Sequence, residues 1–122
     1  MSRILIVEDE LMLQEVYRLV LSSSHHDVSV SCNGLEGLQA LSKVKPDVVL
    51  LDIFMPVMDG REFLRNFSKA KYPNTKIVVY TNLSDSKTEA EMLELGADRF
   101  ILKSSMTPQN LTDLVDIIMN GR

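Results

Sequence analysis

Five short apolar runs rich in β-branched residues recur along the chain, and each is followed by a stretch whose apolar residues return at helical spacing. This alternation constrains the fold more than any other feature. Strands so apolar must be buried on both faces, which requires a parallel sheet with helices on either side. The expected strands are Arg3 to Val7, Asp27 to Ser31, Asp47 to Leu51, Lys76 to Tyr80 and Arg99 to Leu102. The helical stripes are Leu13, Val16, Tyr17, Val20 and Leu21; then Leu35, Leu38 and Leu41; then Phe63, Leu64 and Phe67; and finally Leu111, Leu114, Val115 and Ile118. A weaker fourth helix, roughly Asp85 to Leu95, spreads Ala90, Met92, Leu93 and Leu95 among many charges. Gly96, Thr107-Pro108 and Asp59-Gly60 supply the matching helix punctuation. Right-handed crossovers then make a doubly wound α/β sheet of five parallel strands, in the order 2-1-3-4-5, the economical solution.

At 122 residues the chain is expected to form a single domain, 1–122. Hydrophobic residues at 45% and charged residues at 25% exclude a disordered chain, a collagen-like chain or a disulfide scaffold. A net charge of −4 with no run of Lys and Arg argues against direct binding of nucleic acid or of an anionic membrane. No stretch approaches the roughly 20 apolar residues that span a bilayer, so no membrane insertion is expected. The single cysteine, Cys32, cannot form an internal disulfide, which makes the cytoplasm the default compartment.

The third run, Val48-Val49-Leu50-Leu51, ends in an ionisable Asp52. An unpaired buried carboxylate costs several kcal/mol, so this placement needs a reason. In doubly wound sheets ligands bind beyond the carboxyl ends of the strands, where the strand order reverses. Here that point lies between the first and third strands, and the residues at their ends are Glu8, Asp9 and Asp52. At roughly 5 Å and an effective dielectric near 20, each like-charge pair costs about 3 kcal/mol, so the trio should hold protons or a cation. A hard divalent ion such as Mg²⁺ suits such an oxygen site. Taken singly, Asp9 could cap the first helix, Glu8 could be a solvated loop residue, and Asp52 a cap. Thr81 and Lys103 end the fourth and fifth strands and bring a hydroxyl and an ammonium to the same edge, unless they are a plain strand-end residue and a surface amine. Together the set has what phosphoryl transfer requires: a carboxylate nucleophile, a metal, an ammonium and a hydrogen-bond donor.

The words ILIVEDE, VVLLDIFMPVMDG, IVVYTN and GADRFILK, in that order and spacing, resemble the receiver domain of two-component response regulators over essentially the whole chain. The resemblance implies a flavodoxin-like, chemotaxis-protein-like (βα)5 fold. It implies that Asp52 accepts a phosphoryl group from a sensor histidine kinase or a histidine phosphotransfer protein. Asp9 and Asp52 would ligate Mg²⁺, with Mn²⁺ an alternative, Glu8 would do so through water, and the backbone carbonyl of Phe54 would add a ligand. Lys103 would pair with the phosphoryl group. Thr81 would move to hydrogen-bond it, and Phe100 would turn inward, changing a face made by the fourth helix, fifth strand and fifth helix that a downstream protein or effector domain reads. The chain would be a signalling phosphoacceptor rather than an enzyme, catalysing its own phosphorylation and a slow autodephosphorylation.

Phe54, Asn82 and Leu83 stand at the family's positions next to the phosphoacceptor and the threonine. The apolar Phe54 and Leu83 are expected to hinder an in-line water, and Asn82 to slow access or donate a hydrogen bond. The family usually follows its lysine with a cis proline, whereas Ser104 stands here in a loop one residue longer. A cis bond before a non-proline costs about 2.5 to 4 kcal/mol, so a trans Lys103–Ser104 peptide and a rearranged loop are expected. His25, His26 and Cys32 read as loop and strand-end residues. The rival reading is a pseudo-receiver, a binding module that works without phosphorylation and would show loss of the phosphoacceptor, metal carboxylates or lysine. A flavin module would need a Ser/Thr/Gly-rich first loop, and an aspartyl phosphatase a second acid where Phe54 stands. The kinase, the pathway, a homodimer through the output face, and membership of a longer regulator are left open.

Overall fold

The computed structural model describes residues 2–82 and 86–120, so the expectations placed on Leu83 and Asp85 lie outside the described residues. The elements alternate as the sequence requires: β1 Arg3–Val7, α1 Leu11–Ser23, β2 Asp27–Ser31, α2 Gly34–Val44, β3 Val48–Asp52, α3 Gly60–Asn66, β4 Lys76–Thr81, α4 Ser86–Glu94, β5 Arg99–Leu102 and α5 Pro108–Met119. All five strands are parallel, in the order β2-β1-β3-β4-β5.

The sheet divides the core by strand parity, since successive side chains leave opposite faces. Leu5, Val7, Val49, Leu51, Ile77 and Val79 pack under α2, α3 and α4 with Leu41, Phe63, Leu64 and Met92. Ile4, Ile6, Val48, Leu50, Val78 and Tyr80 pack under α1 and α5 with Tyr17, Leu21, Leu111 and Val115. Every residue of β3 is buried, which is why that strand reads as an unbroken apolar run until Asp52.

Several sequence expectations shift. The third strand runs one residue later than expected, because Asp47 turns its carboxylate back to accept from the Arg3 backbone N–H at 2.8 Å. The fourth gains Thr81. In α4 the buried face is Thr88 and Met92, whereas Ala90 and Leu93 point outward. Val16 and Leu35 also leave their expected stripes, at 46% and 40% exposure. In each case the period is right and the phase is off, since a stripe read from apolar residues alone cannot see that Gln14, Gly34, Gly37 or Thr88 is a buried residue of its helix.

The loop after β5 follows the expectation of a trans Lys103–Ser104 peptide, as no cis bond occurs among the described residues. Lys103–Ser105 form one 3₁₀ turn closed by the Met106 N–H to the Lys103 carbonyl at 3.0 Å. Met106 is buried in the α1/α5 core, and Asn110 Nδ2 donates to the Ser105 carbonyl at 2.8 Å, so the loop is tied at both ends. Thr107 caps α5 and Pro108 opens it.

The turn leaving Asp52 is set by one close approach. Gly60 N–H donates to the Ile53 carbonyl at 2.7 Å, and a Cβ on Gly60 would lie 2.5 Å from the Asp52 carbonyl oxygen. Asp59 caps α3 immediately before it by accepting from the Glu62 N–H at 3.0 Å. Gly60→Ala must therefore displace backbone at the end of β3, and we expect it to cost about 2 kcal/mol. Urea denaturation checks this; a variant as stable as the parent would show that the close approach is not a constraint.

Candidate functional site

Parity carries the site as well as the core. The row that fills the α1/α5 face, Ile6 on β1, Leu50 on β3 and, across β4, Ile101 on β5, continues to Glu8 just past β1, Asp52 at the end of β3 and Lys103 just past β5. Two carboxylates and an ammonium thus cap an apolar layer. Lys103 Nζ stands 3.2 Å from Asp52 Oδ2 and 3.4 Å from Glu8 Oε1. The other Asp52 oxygen accepts from the Ile53 N–H at 2.8 Å, and Glu8 Oε2 accepts from the Glu10 N–H at 3.0 Å.

These groups open into a cavity of about 420 Å³ lined by Glu8, Asp9, Glu10, Asp52, Phe54, Thr81, Asn82 and Lys103. Carboxylate oxygens of Glu8, Asp9 and Asp52 lie within 4.8 Å of one another, close enough to share one cation. Asp9 lies one position outside the cap of α1, which is Glu10, so the capping alternative does not describe it. Glu8 lies in the loop after β1 but is not solvated, since its side chain is fully buried, and Lys103 is no surface amine at 15% side-chain exposure. Thr81 is buried in the cavity wall, while Asn82 is exposed and Phe54 is 54% exposed.

Phe100 alone among the described candidates lies away from the cavity. It pairs with Val79 across β4 and β5 and packs, partly buried, on the α2/α3/α4 face. The residues that sequence reasoning missed are Tyr80 and Gln14. The Tyr80 hydroxyl donates to Glu8 Oε1 at 3.0 Å, its ring centroid lies 5.5 Å from Lys103 Nζ, and Asp52 is its partner in the ladder. Its even position on β4 was the available signal: it must face the side that Asp52 faces. Gln14 Nε2 donates to the Glu8 carbonyl at 2.6 Å and contacts the Ser31 carbonyl at 3.3 Å, closing the end of β1 against β2.

Burial dominates the electrostatics. It pushes the Glu8 carboxyl from 4.5 up to about 6; the Glu10 N–H opposes the rise, Asp52 adds to it, and Lys103 and the Tyr80 hydroxyl oppose it. Burial also raises Asp52, against the pull of Lys103. At Lys103 burial acts downward, but Asp52 and Glu8 outweigh it and hold the ammonium above its ordinary value. One cation does not fully compensate two desolvated carboxylates, which leaves the site short of positive charge.

That shortfall has a pH signature. Between pH 4.5 and about 6 the folded chain holds a proton on Glu8 that the unfolded chain has released, so stability falls as pH rises through this window. Glu8 alone accounts for about 2 kcal/mol. The metal-free protein should lose melting temperature from pH 4.5 to 7, once other titrations are subtracted with a Glu8→Leu variant, and Mg²⁺ should restore it at pH 7. A flat Glu8-dependent difference, or no response to Mg²⁺, would contradict this balance of charges.

Known proteins point the same way. A family model for the response regulator receiver domain matches residues 4–116. The chain is similar to chemotaxis protein CheY of Listeria monocytogenes, at 34% identity over 104 residues that span 84% of this chain and 87% of that protein. It is equally similar to the probable C4-dicarboxylate response regulator DctR of Halalkalibacterium halodurans, 34% over 103 residues, but there it spans only 44% of the relative's length. Among solved structures, a CheY-like receiver domain protein from Methanospirillum hungatei superposes with a TM-score of 0.90 at 25% identity, covering 99% of this chain and 95% of that one. The signal receiver domain of a histidine kinase from Syntrophus aciditrophicus superposes at 0.86 with 31% identity, covering 99% and 92%. Receiver domains bind Mg²⁺ at an acidic pocket and interact with histidine kinases and effector domains, and Glu8, Asp9 and Asp52 form an acidic cluster of that kind. With the sheet order, the acidic cluster and these relatives in agreement, the chain belongs to the response regulator receiver domain family.

Proposed function

We propose that this chain, as one receiver domain over residues 1–122, takes a phosphoryl group onto Asp52 from the phosphohistidine of a sensor kinase or a histidine phosphotransfer protein. The observation that carries the reading is the placement of Asp52 at the floor of an open cavity, 3.2 Å from the Lys103 ammonium and beside Glu8 and Asp9. In the transfer an Asp52 oxygen forms a bond to phosphorus, the phosphorus–nitrogen bond breaks, and its electron pair returns to the imidazole, which solvent protonates.

Each neighbour has a defined part. Lys103 exchanges its contact with Asp52 for one with an equatorial phosphoryl oxygen, and the Thr81 hydroxyl donates to another. Asp9, Asp52 and the Phe54 carbonyl would hold Mg²⁺, with Glu8 acting through water. The ion would neutralise charge gathering on the phosphoryl oxygens. Tyr80 and the Glu10 N–H hold the Glu8 carboxylate in one orientation, so the acidic wall is formed in advance.

Once Thr81 is drawn toward the phosphoryl group, Phe100 can fill space near β4, and the face of α4, β5 and α5 changes. A partner protein or an effector domain would read that face. The exposed, unpaired Cys32 fits a reducing cytoplasm, where such a relay operates.

Incubation with Mg²⁺ and acetyl phosphate, followed by intact-mass measurement, tests the reading. Addition of one phosphoryl group, lost in Asp52→Asn and in chelated samples, is the expected result. A folded chain that takes up none would favour a module that binds partners without phosphorylation.

A further inference from the structure

Phe54 stands two residues beyond Asp52 and lines both the site cavity and an adjoining cavity of about 340 Å³ with Asp9, Met55, Pro56 and Asp59. With Phe54 54% exposed, little packing selects one of its rotamers unless a neighbouring group does so. The Arg61 guanidinium carbon lies 5.8 Å from the Phe54 ring centroid, within cation–π range. Arg61 is itself fixed: its Nε donates to both carboxylate oxygens of Glu91 at 3.0 Å. Arg61 belongs to the first turn of α3 and Glu91 to α4, so the chain of contacts runs from the phosphoacceptor's rim to a helix of the output face.

Resting on the proposed phosphorylation of Asp52, we propose that Arg61 is a positioning residue that holds Phe54 across the approach of water and, through Glu91, ties the lifetime of the phosphoryl group to the position of α4. In the hydrolysis so restrained, water forms a bond to phosphorus and the phosphorus–oxygen bond to Asp52 breaks. Its electron pair returns to the carboxylate, and the proton released by water passes to solvent. Arg61 touches none of these atoms; it acts through the ring. A partner that displaces α4 loosens Glu91, frees Phe54 and shortens the signal.

The test loads the protein with acetyl phosphate and Mg²⁺, removes the donor, and follows decay of the phosphorylated mass. R61M and E91Q should each shorten the half-life by about threefold, the size expected for losing an exposed cation–π contact, and R61K should restore part of it. F54A should shorten it at least as much, and adding R61M to F54A should change nothing further. In the unphosphorylated protein, NMR should show a cross-peak between the Arg61 Nε proton and the Phe54 ring that E91Q abolishes. Normal loading with an R61M half-life equal to the parent's, an R61M effect undiminished in F54A, or absence of that cross-peak in the parent overturns this proposal alone. A parent chain that takes no phosphoryl group overturns the phosphorylation reading and this one together.

Discussion

One ammonium set between two buried carboxylates is the contact on which the carboxyl edge of this sheet depends. Lys103 reaches Asp52 and Glu8 at 3.2 and 3.4 Å, and both acids sit where burial works against their charge. Replacing such a set by apolar side chains would commonly stabilise a fold. The edge is therefore built for binding charge at the expense of stability, and the rest of the domain has to supply the rigidity that keeps the carboxylates together. The fully buried β3, the close approach of Gly60 to the end of β3, and the tethered 3₁₀ turn after β5 all serve that purpose.

Strand parity links the core to the chemistry. The same alternation that sends Ile6 and Leu50 under α1 and α5 sends Glu8 and Asp52 to one side of the sheet, with Tyr80 beneath them. A register slip by one residue in β3 would move Asp52 to the opposite face and bring Leu51 to the rim. Tyr80 also joins the two halves of the charge cluster, since its hydroxyl holds Glu8 and its ring lies under Lys103.

The alternation of apolar runs and helical stripes made the architecture and strand order legible in the sequence, and Asp52 at the end of a buried run made the site legible. Other features were hidden for identifiable reasons. The buried face of α4 includes Thr88, which no apolar count would select. Val57, a β-branched residue, adopts φ +68° in the turn after β3, against its own preference. Phe100 sits on the far face of the sheet from Lys103, so no contact in the structure joins it to the cavity. The Arg61–Glu91 bridge joins residues 30 apart whose pairing follows only from how α3 and α4 lie together.

The central claim is chemical and local: Asp52, and no other acid of the cluster, carries the phosphoryl group. Borohydride reduction of the phosphorylated protein converts an aspartyl phosphate to homoserine, and peptide mapping by mass spectrometry then locates it. Homoserine at position 52 alone is the predicted result. Homoserine at Asp9, or a stable phosphoryl group that borohydride leaves untouched, would contradict the account.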